Sequence, residues 1–161
     1  MMNCKTKSRC CILLALTAVV AAPFFYVGSS ADADFSTSEL TGGHVKIKGI
    51  SISVMIADEP LEHWKGLSDR EAIGAKEGML FIFKEKQEHI FVMRRMHFPL
   101  DIIFIQDNKI VKIFHNLPPE GNNPLNSYSS FYPVNYVLEV NGGFAATHKI
   151  KEGDEVEFFF N

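Results

Sequence analysis

Residues 100–115 read LDIIFIQDNKIVKIFH. Two apolar runs flank Asp107 and Asn108, residue types that tolerate positive φ, so the spacing predicts two strands joined by a two-residue type I′ turn. That register pairs Gln106 with Lys109, Ile105 with Ile110, Ile103 with Lys112 and Asp101 with Phe114. One face of the hairpin then holds Asp101, Ile103, Ile105, Ile110, Lys112 and Phe114. The other holds Leu100, Ile102, Phe104, Val111 and Ile113 and is apolar throughout. Asp101 stands out, because a buried ionised carboxylate is costly without a partner.

Working outward, KIKGISISVMIAD alternates over residues 46–58, with Ile50, Ile52, Val54 and Ile56 on one face and Ser51, Ser53 and Met55 on the other. This reads as a half-buried strand. Residues 58–77 hold helix formers broken by Pro60, Gly66 and Gly74, which predicts one or two short helical turns. GMLFIF (78–83) is a short buried strand followed by a polar turn, KEKQE. HIFVMRRM (89–96) is a further strand, and residues 116–133, with four prolines, form a long irregular loop. VNYVLEV (134–140) is a strand, NGGFAATHK holds a short helix, and Gly153-Asp154 turn the chain into a last strand. About seven short strands with frequent turn signals indicate a compact, mostly antiparallel β-sandwich or barrel-like domain with one or two short helices. With no β-α-β alternation in the pattern, a parallel sheet is disfavoured.

The N-terminus differs in composition. Lys5, Lys7 and Arg9 precede CCILLALTAVVAAPFFYVG, an uncharged run over residues 10–28, and Ala31-Asp32-Ala33 supplies small residues for a signal peptidase. The pattern reads as a signal peptide over residues 1–33, or as a retained anchor through residues 10–28. Residues 34–44 form a linker and residues 45–161 a single domain. Either reading exports the domain to the cell envelope, with membrane contact only through the N-terminal segment. Cys4, Cys10 and Cys11 all precede the domain, which therefore lacks a disulfide, a thiol nucleophile and a cysteine metal site. The formal net charge is −3 and no long basic run exists, which argues against nucleic acid as a partner.

GLSDR, EGMLFIF, IFVMRRMHFPLDIIFI, VLEV and IKEGDEV, in this order and spacing, resemble the domain of unknown function 192 family across residues 45–160. The resemblance implies a β-sandwich behind a signal peptide or single anchor, and no established activity. The matching positions are Gly66, Leu67, Arg70, Gly78, Met79, Phe91, Met93, Pro99, Leu100, Asp101, Glu139, Gly153 and Asp154. The family usually has Phe-Trp-Met-Lys-Asn-Thr where this chain has Phe91, Val92, Met93, Arg94, Arg95 and Met96, and a methionine where it has Ser68.

Asp101 and Glu139 are each a lone carboxylate within an apolar strand, and Arg70, Arg94 and Arg95 are nearby cations. One reading gathers Arg70, Arg94, Asp101 and Glu139 in a ligand-binding site. In the other, Asp101 is structural and accepts hydrogen bonds from backbone N–H groups or an arginine, with Lys112 about 7–8 Å away on the same face. Arg94 and Arg95, being adjacent, point to opposite sides of a strand, so at most one enters a given pocket. The six histidines show no metal-ligand spacing. Neither a nucleophile motif nor a phosphate loop occurs, and no cofactor is implied. Trp64 and the aromatics of the long loop either stack a sugar or cover an open end of the sandwich.

The sequence therefore leans away from an enzyme. It points to an envelope binding module for a small molecule, glycan or envelope protein, with the 116–133 loop as a rim. One alternative is a polysaccharide hydrolase acting through Asp101 and Glu139, whose carboxyl groups would need a separation of about 5–9.5 Å in a shared cleft. The other is an accessory subunit of a membrane complex, which requires an exposed apolar patch.

Overall fold

The computed structural model describes residues 42–160. The signal or anchor expected over residues 1–33, and the linker up to residue 41, lie outside them. The described residues form strands β1 (Gly43–Ile47), β2 (Ile50–Ala57), β3 (Glu77–Gln87), β4 (Ile90–Phe91), β5 (Leu100–Gln106), β6 (Lys109–Leu117), β7 (Tyr128–Ser129), β8 (Val134–Asn141) and β9 (Val156–Phe160). Two short helices, α1 (Pro60–Lys65) and α2 (Phe144–Thr147), complete the fold. Among these residues no helix is long and apolar enough to cross a membrane.

Seven strands make one sheet in the order β6-β5-β8-β3-β2-β1-β9, and β4 and β7 pair separately. The main sheet curls until its two edges meet. Ile110 N–H donates to the Asp154 carbonyl (3.0 Å), Gly153 N–H to the Ile110 carbonyl (2.8 Å) and Val156 N–H to the Asn108 carbonyl (2.8 Å). Joining edges this way satisfies backbone groups that would otherwise face solvent unpaired. The concave face buries Val45, Ile52, Leu80, Ile103, Leu138 and Val156, with Phe144 and Ala145 of α2 closing one end. The convex face carries a second apolar layer of Met55, Met79, Phe81, Ile102, Phe104 and Val137, covered by Leu67, Met93 and Met96. Each fully buried side chain of this size contributes about 1.5–3 kcal/mol of transfer free energy.

The mostly β fold is as the strand pattern implies, but four local readings change. First, the β5–β6 pairing starts as expected, with Gln106 opposite Lys109 and Ile105 opposite Ile110, then slips so that Phe104 faces Lys112. Val111 is the extra residue of a β-bulge, and a one-residue slip exchanges faces. Ile113 therefore joins the concave layer and Phe114 the convex one. Lys112 turns to Glu152 (3.2 Å) rather than toward Asp101. Only Asp107 of the turn pair has positive φ (56°), so the turn is not type I′.

Second, residues 46–58 are not one strand. Lys48 and Gly49 have φ of 51° and 81°, the two left-handed residues of a tight hairpin, which folds β1 back on β2. Gly43 and His44, read as linker, open β1. Third, β2 and β3 pair in parallel, Val54 with Gly78 through Ala57 with Phe81, and α1 lies on the connection. This β-α-β unit escaped the sequence because its helix is only six residues long. Fourth, β3 runs on through the polar residues 84–87, while the 89–96 strand shrinks to β4. Arg95 adopts φ 54° and ends the extended run. Its carbonyl accepts from Asp69 N–H (2.9 Å) and its N–H donates to Gly121 O (3.2 Å), so the segment docks on two loops instead of a strand.

Candidate functional site

Asp101 answers the question it raised. It is fully buried, on the concave face, opposite Val140. One carboxylate oxygen accepts from the N–H groups of Asn116 (2.7 Å) and Gly143 (2.9 Å), and the other from Ala145 N–H (2.7 Å). A second bulge in β6 delivers the first of these donors: residues 115 and 116 together oppose Asp101, and Asn116 takes φ 49°. Three charge-assisted backbone bonds compensate the buried carboxylate, with no arginine needed. Asp101 fastens β6 and the start of α2 to the centre of the sheet. Its bonds give it a structural role, and it is not among the residues lining the cavity described next.

Glu139 lies one residue further along the neighbouring strand pairing, opposite Ile102 and Met79, and so projects from the convex face. Asp101 and Glu139 therefore sit on opposite sides of one sheet. No shared cleft exists for a pair of catalytic carboxyl groups, which removes the hydrolase alternative. Glu139 is buried. Burial alone pushes its carboxyl up from 4.5 to about 8, because the charged form has lost water without gaining a counter-charge.

Glu139 lines a cavity of about 260 Å³. Phe81, Phe83, Phe91, Leu67 and Met96 supply apolar walls. His63, His89, Ser68 and Arg94 supply polar groups, and Trp64, Ile90 and Val92 form an exposed mouth. Local sequence places each of these. Pro60 starts α1, and the Glu62 carboxylate accepts from the N–H groups of Asp58 (3.1 Å) and Glu59 (3.2 Å), satisfying donors at the helix start. Gly66 ends the helix with φ 51° and ψ −137° while its N–H donates to Glu62 O (2.8 Å). The one and a half turns between carry His63, Trp64 and Lys65 over the cavity.

Gly66 also leaves room beside the acid. A Cβ there would come within 3.3 Å of the Phe81 ring and 3.9 Å of Glu139 Oε2. Gly66→Ala is expected to cost about 1–3 kcal/mol, since few residues but glycine tolerate this backbone geometry. Chemical denaturation checks this; an unchanged midpoint would contradict the geometry.

His89 is 8% exposed and stacks on Phe83 with ring centroids 3.5 Å apart. Its Nε2 is buried with no hydrogen-bond partner, the single such atom found among the described residues. Burial, and secondarily His63, lowers its pKa, so the ring is neutral at pH 7. His63 is occupied by the Ala57 carbonyl (3.0 Å). Arg94 Nη2 donates to the Trp64 carbonyl (2.6 Å), and its guanidinium lies 4.2 Å from the indole centroid. That contact fixes both groups at the mouth. Arg95 points away and binds Asp69 through two bonds (2.7 and 2.5 Å), so only one of the adjacent arginines reaches the cavity.

Of the four residues considered together, Arg94 and Glu139 share this cavity. Asp101 is behind the sheet, and half-buried Arg70 is not part of the lining. The 116–133 loop does not form the rim. It supports the site from behind, through Ser130, whose Oγ accepts from His89 N–H (3.1 Å). His63 and His89 carried no spacing signal, since they meet through the β2–α1–β3 crossover and the turn before β4. No three His, Cys, Asp or Glu side chains among the described residues converge to hold a metal ion.

A family model described as DUF192, Uncharacterized ACR, matches residues 43–158. The chain belongs to the domain of unknown function 192 family. The DUF192 match spans all nine strands but the end of β9. Two solved structures are similar to this DUF192 domain. A Novosphingobium aromaticivorans protein of unknown function shares 36% identity over 72% of this chain and 84% of its own, with a TM-score of 0.66. A Sinorhizobium meliloti protein, described provisionally as a transcription regulator, shares 29% identity over 73% of this chain and 92% of its own, also at 0.66. No curated protein matches the chain. Three of the positions at which this chain departs from the usual DUF192 pattern, Ser68, Val92 and Met96, line the cavity.

Proposed function

We propose that this DUF192 domain is a non-enzymatic binding module of the cell envelope that takes a small ligand into the cavity beneath Trp64. One observation carries the reading. His89 Nε2, buried without a hydrogen-bond partner, faces a cavity among aromatic rings that the buried Glu139 carboxyl also lines. Leaving such a donor or acceptor unpaired costs about 1–3 kcal/mol, which a bound ligand with a matching polar atom would recover. The departures from the family pattern at Ser68, Val92 and Met96 change the wall of that cavity and would change which ligand fits. The basic, apolar and small-residue order of residues 1–33 supports export. The regulator description of the Sinorhizobium relative is not carried over, because no basic run accompanies the domain.

A thermal-shift screen of metabolites and glycans on the whole protein tests this. A ligand at about 100 times its Kd adds about 2.7 kcal/mol, a rise of several degrees. The rise should shrink or vanish when Val92→Trp narrows the mouth of the cavity. A screen in which no compound raises the melting temperature contradicts the reading. The exposed Trp64, Ile90 and Val92 favour a second reading, in which a partner's apolar side chain occupies the cavity. Mass spectrometry of the mature N-terminus checks whether residues 1–33 are removed.

A further inference from the structure

Resting on the binding-module reading, we propose that the ligand is a small organic acid, its carboxylate held by Arg94 at the mouth and its apolar body lying between Phe81, Phe83 and Phe91. The charge arrangement favours an acid. The cationic groups at the cavity are Arg94 and Lys65, both at its opening, while Glu139 at its floor is the sole acidic side chain in the lining. The Trp64 carbonyl uses one of the five guanidinium N–H donors of Arg94, and stacking on the indole holds the plane of the group in place. A guanidinium fixed in this way can offer a carboxylate two parallel bonds at little further entropic cost. The volume of about 260 Å³ limits the body to a single ring or a short chain.

The floor groups then act as neutral hydrogen-bonding partners for the far end of the ligand. Burial keeps Glu139 protonated up to about pH 8 and His89 uncharged at neutral pH. The groups facing Glu139 across the cavity are His63 and Lys65 from α1, and His89 and Arg94 from the 89–96 segment. Above pH 8 Glu139 becomes a buried negative charge and repels an acid. Affinity for an organic acid should therefore fall as pH rises from 7 to 9, and Glu139→Gln should flatten that fall.

Trp64 is the chain's one tryptophan, so its emission reports on the cavity mouth directly. The experiment titrates the full chain at pH 7 with 3-phenylpropanoate, 3-phenylpropanamide and 3-phenylpropylamine, which share one body and differ in head-group charge. The acid should bind at least about tenfold more tightly than the other two. Arg94→Gln should weaken it by about tenfold or more, and Arg94→Lys by less. Tighter binding of the amine or the amide overturns the organic-acid assignment and leaves the binding module standing. Acid binding that is unchanged in Arg94→Gln also overturns it. If none of the three alters Trp64 emission or the melting temperature, the organic-acid assignment fails, and the module stands or falls by the wider screen. The comparison among probes uses the unmutated chain, so it decides even if Arg94→Gln folds poorly.

Discussion

Asp101→Asn is expected to lower the melting temperature by about 10–15 °C. Both carboxylate oxygens are in use, one accepting from Asn116 and Gly143 and the other from Ala145. An asparagine amide can match one oxygen only. Whichever way it turns, its NH₂ meets at least one backbone N–H donor to donor. The substitution loses a charge-assisted bond of about 1.5–3 kcal/mol and strands a buried N–H at about 1–3 kcal/mol more, a total of about 2.5–6 kcal/mol. The damage should concentrate where Asp101 ties elements together. Amide exchange at Gly143, Ala145 and Asn116 should accelerate more than exchange in β2 or β3. A variant as stable as the parent would mean that water or another group can replace the carboxylate, against the fully buried position.

Glu139→Gln is expected to make the protein more stable at pH 8.5 by on the order of 4 kcal/mol, with little change at pH 4.5. The native carboxyl titrates at about 8, while the unfolded chain releases the same proton near 4.5. Between those values the native state holds a proton that the unfolded state has lost. Stability from this group is therefore full below pH 4.5, falls as pH rises through the window, and is lost by about pH 8. Glutamine carries no such proton, so its variant should lack that decline. Urea midpoints at pH 4.5, 6.5 and 8.5 give the comparison. Parallel curves for the parent and the variant would show that Glu139 is ionised and satisfied in the fold.

The two carboxylates look alike in sequence, each a single acid in an apolar strand. What separates them is not written locally. Asp101 acquires donors from residues 116, 143 and 145, and one of those donors depends on a bulge that nothing around Asn116 announces. Glu139 instead faces the aromatic rings and histidines brought by the helix and loop laid over its face. Strand existence was legible for β2, β5, β6 and β8, where apolar residues dominate. The turn at Lys48-Gly49 was not, because alternation continues across it and a lysine at positive φ gives little warning. The 89–96 segment misled for the opposite reason. Its residues have strand propensity, yet Phe91, Met93 and Met96 serve as a lid on the convex layer, and tertiary contacts overrode local preference. Asp101 and Glu139 separated because a sheet has two faces and the β5–β8 register, Asp101 opposite Val140 and Ile102 opposite Glu139, puts the two acids on opposite ones; Arg70 and Arg94 lie outside the strands altogether.

A site-specific ¹³C titration of the Glu139 side-chain carboxyl in the full chain tests the central claim most directly. The expected midpoint is about 8 in the free protein, moved when a ligand fills the cavity. A midpoint near 4.5, unaffected by any bound compound, would show a hydrated acid at the surface of an ordinary sheet and no built site.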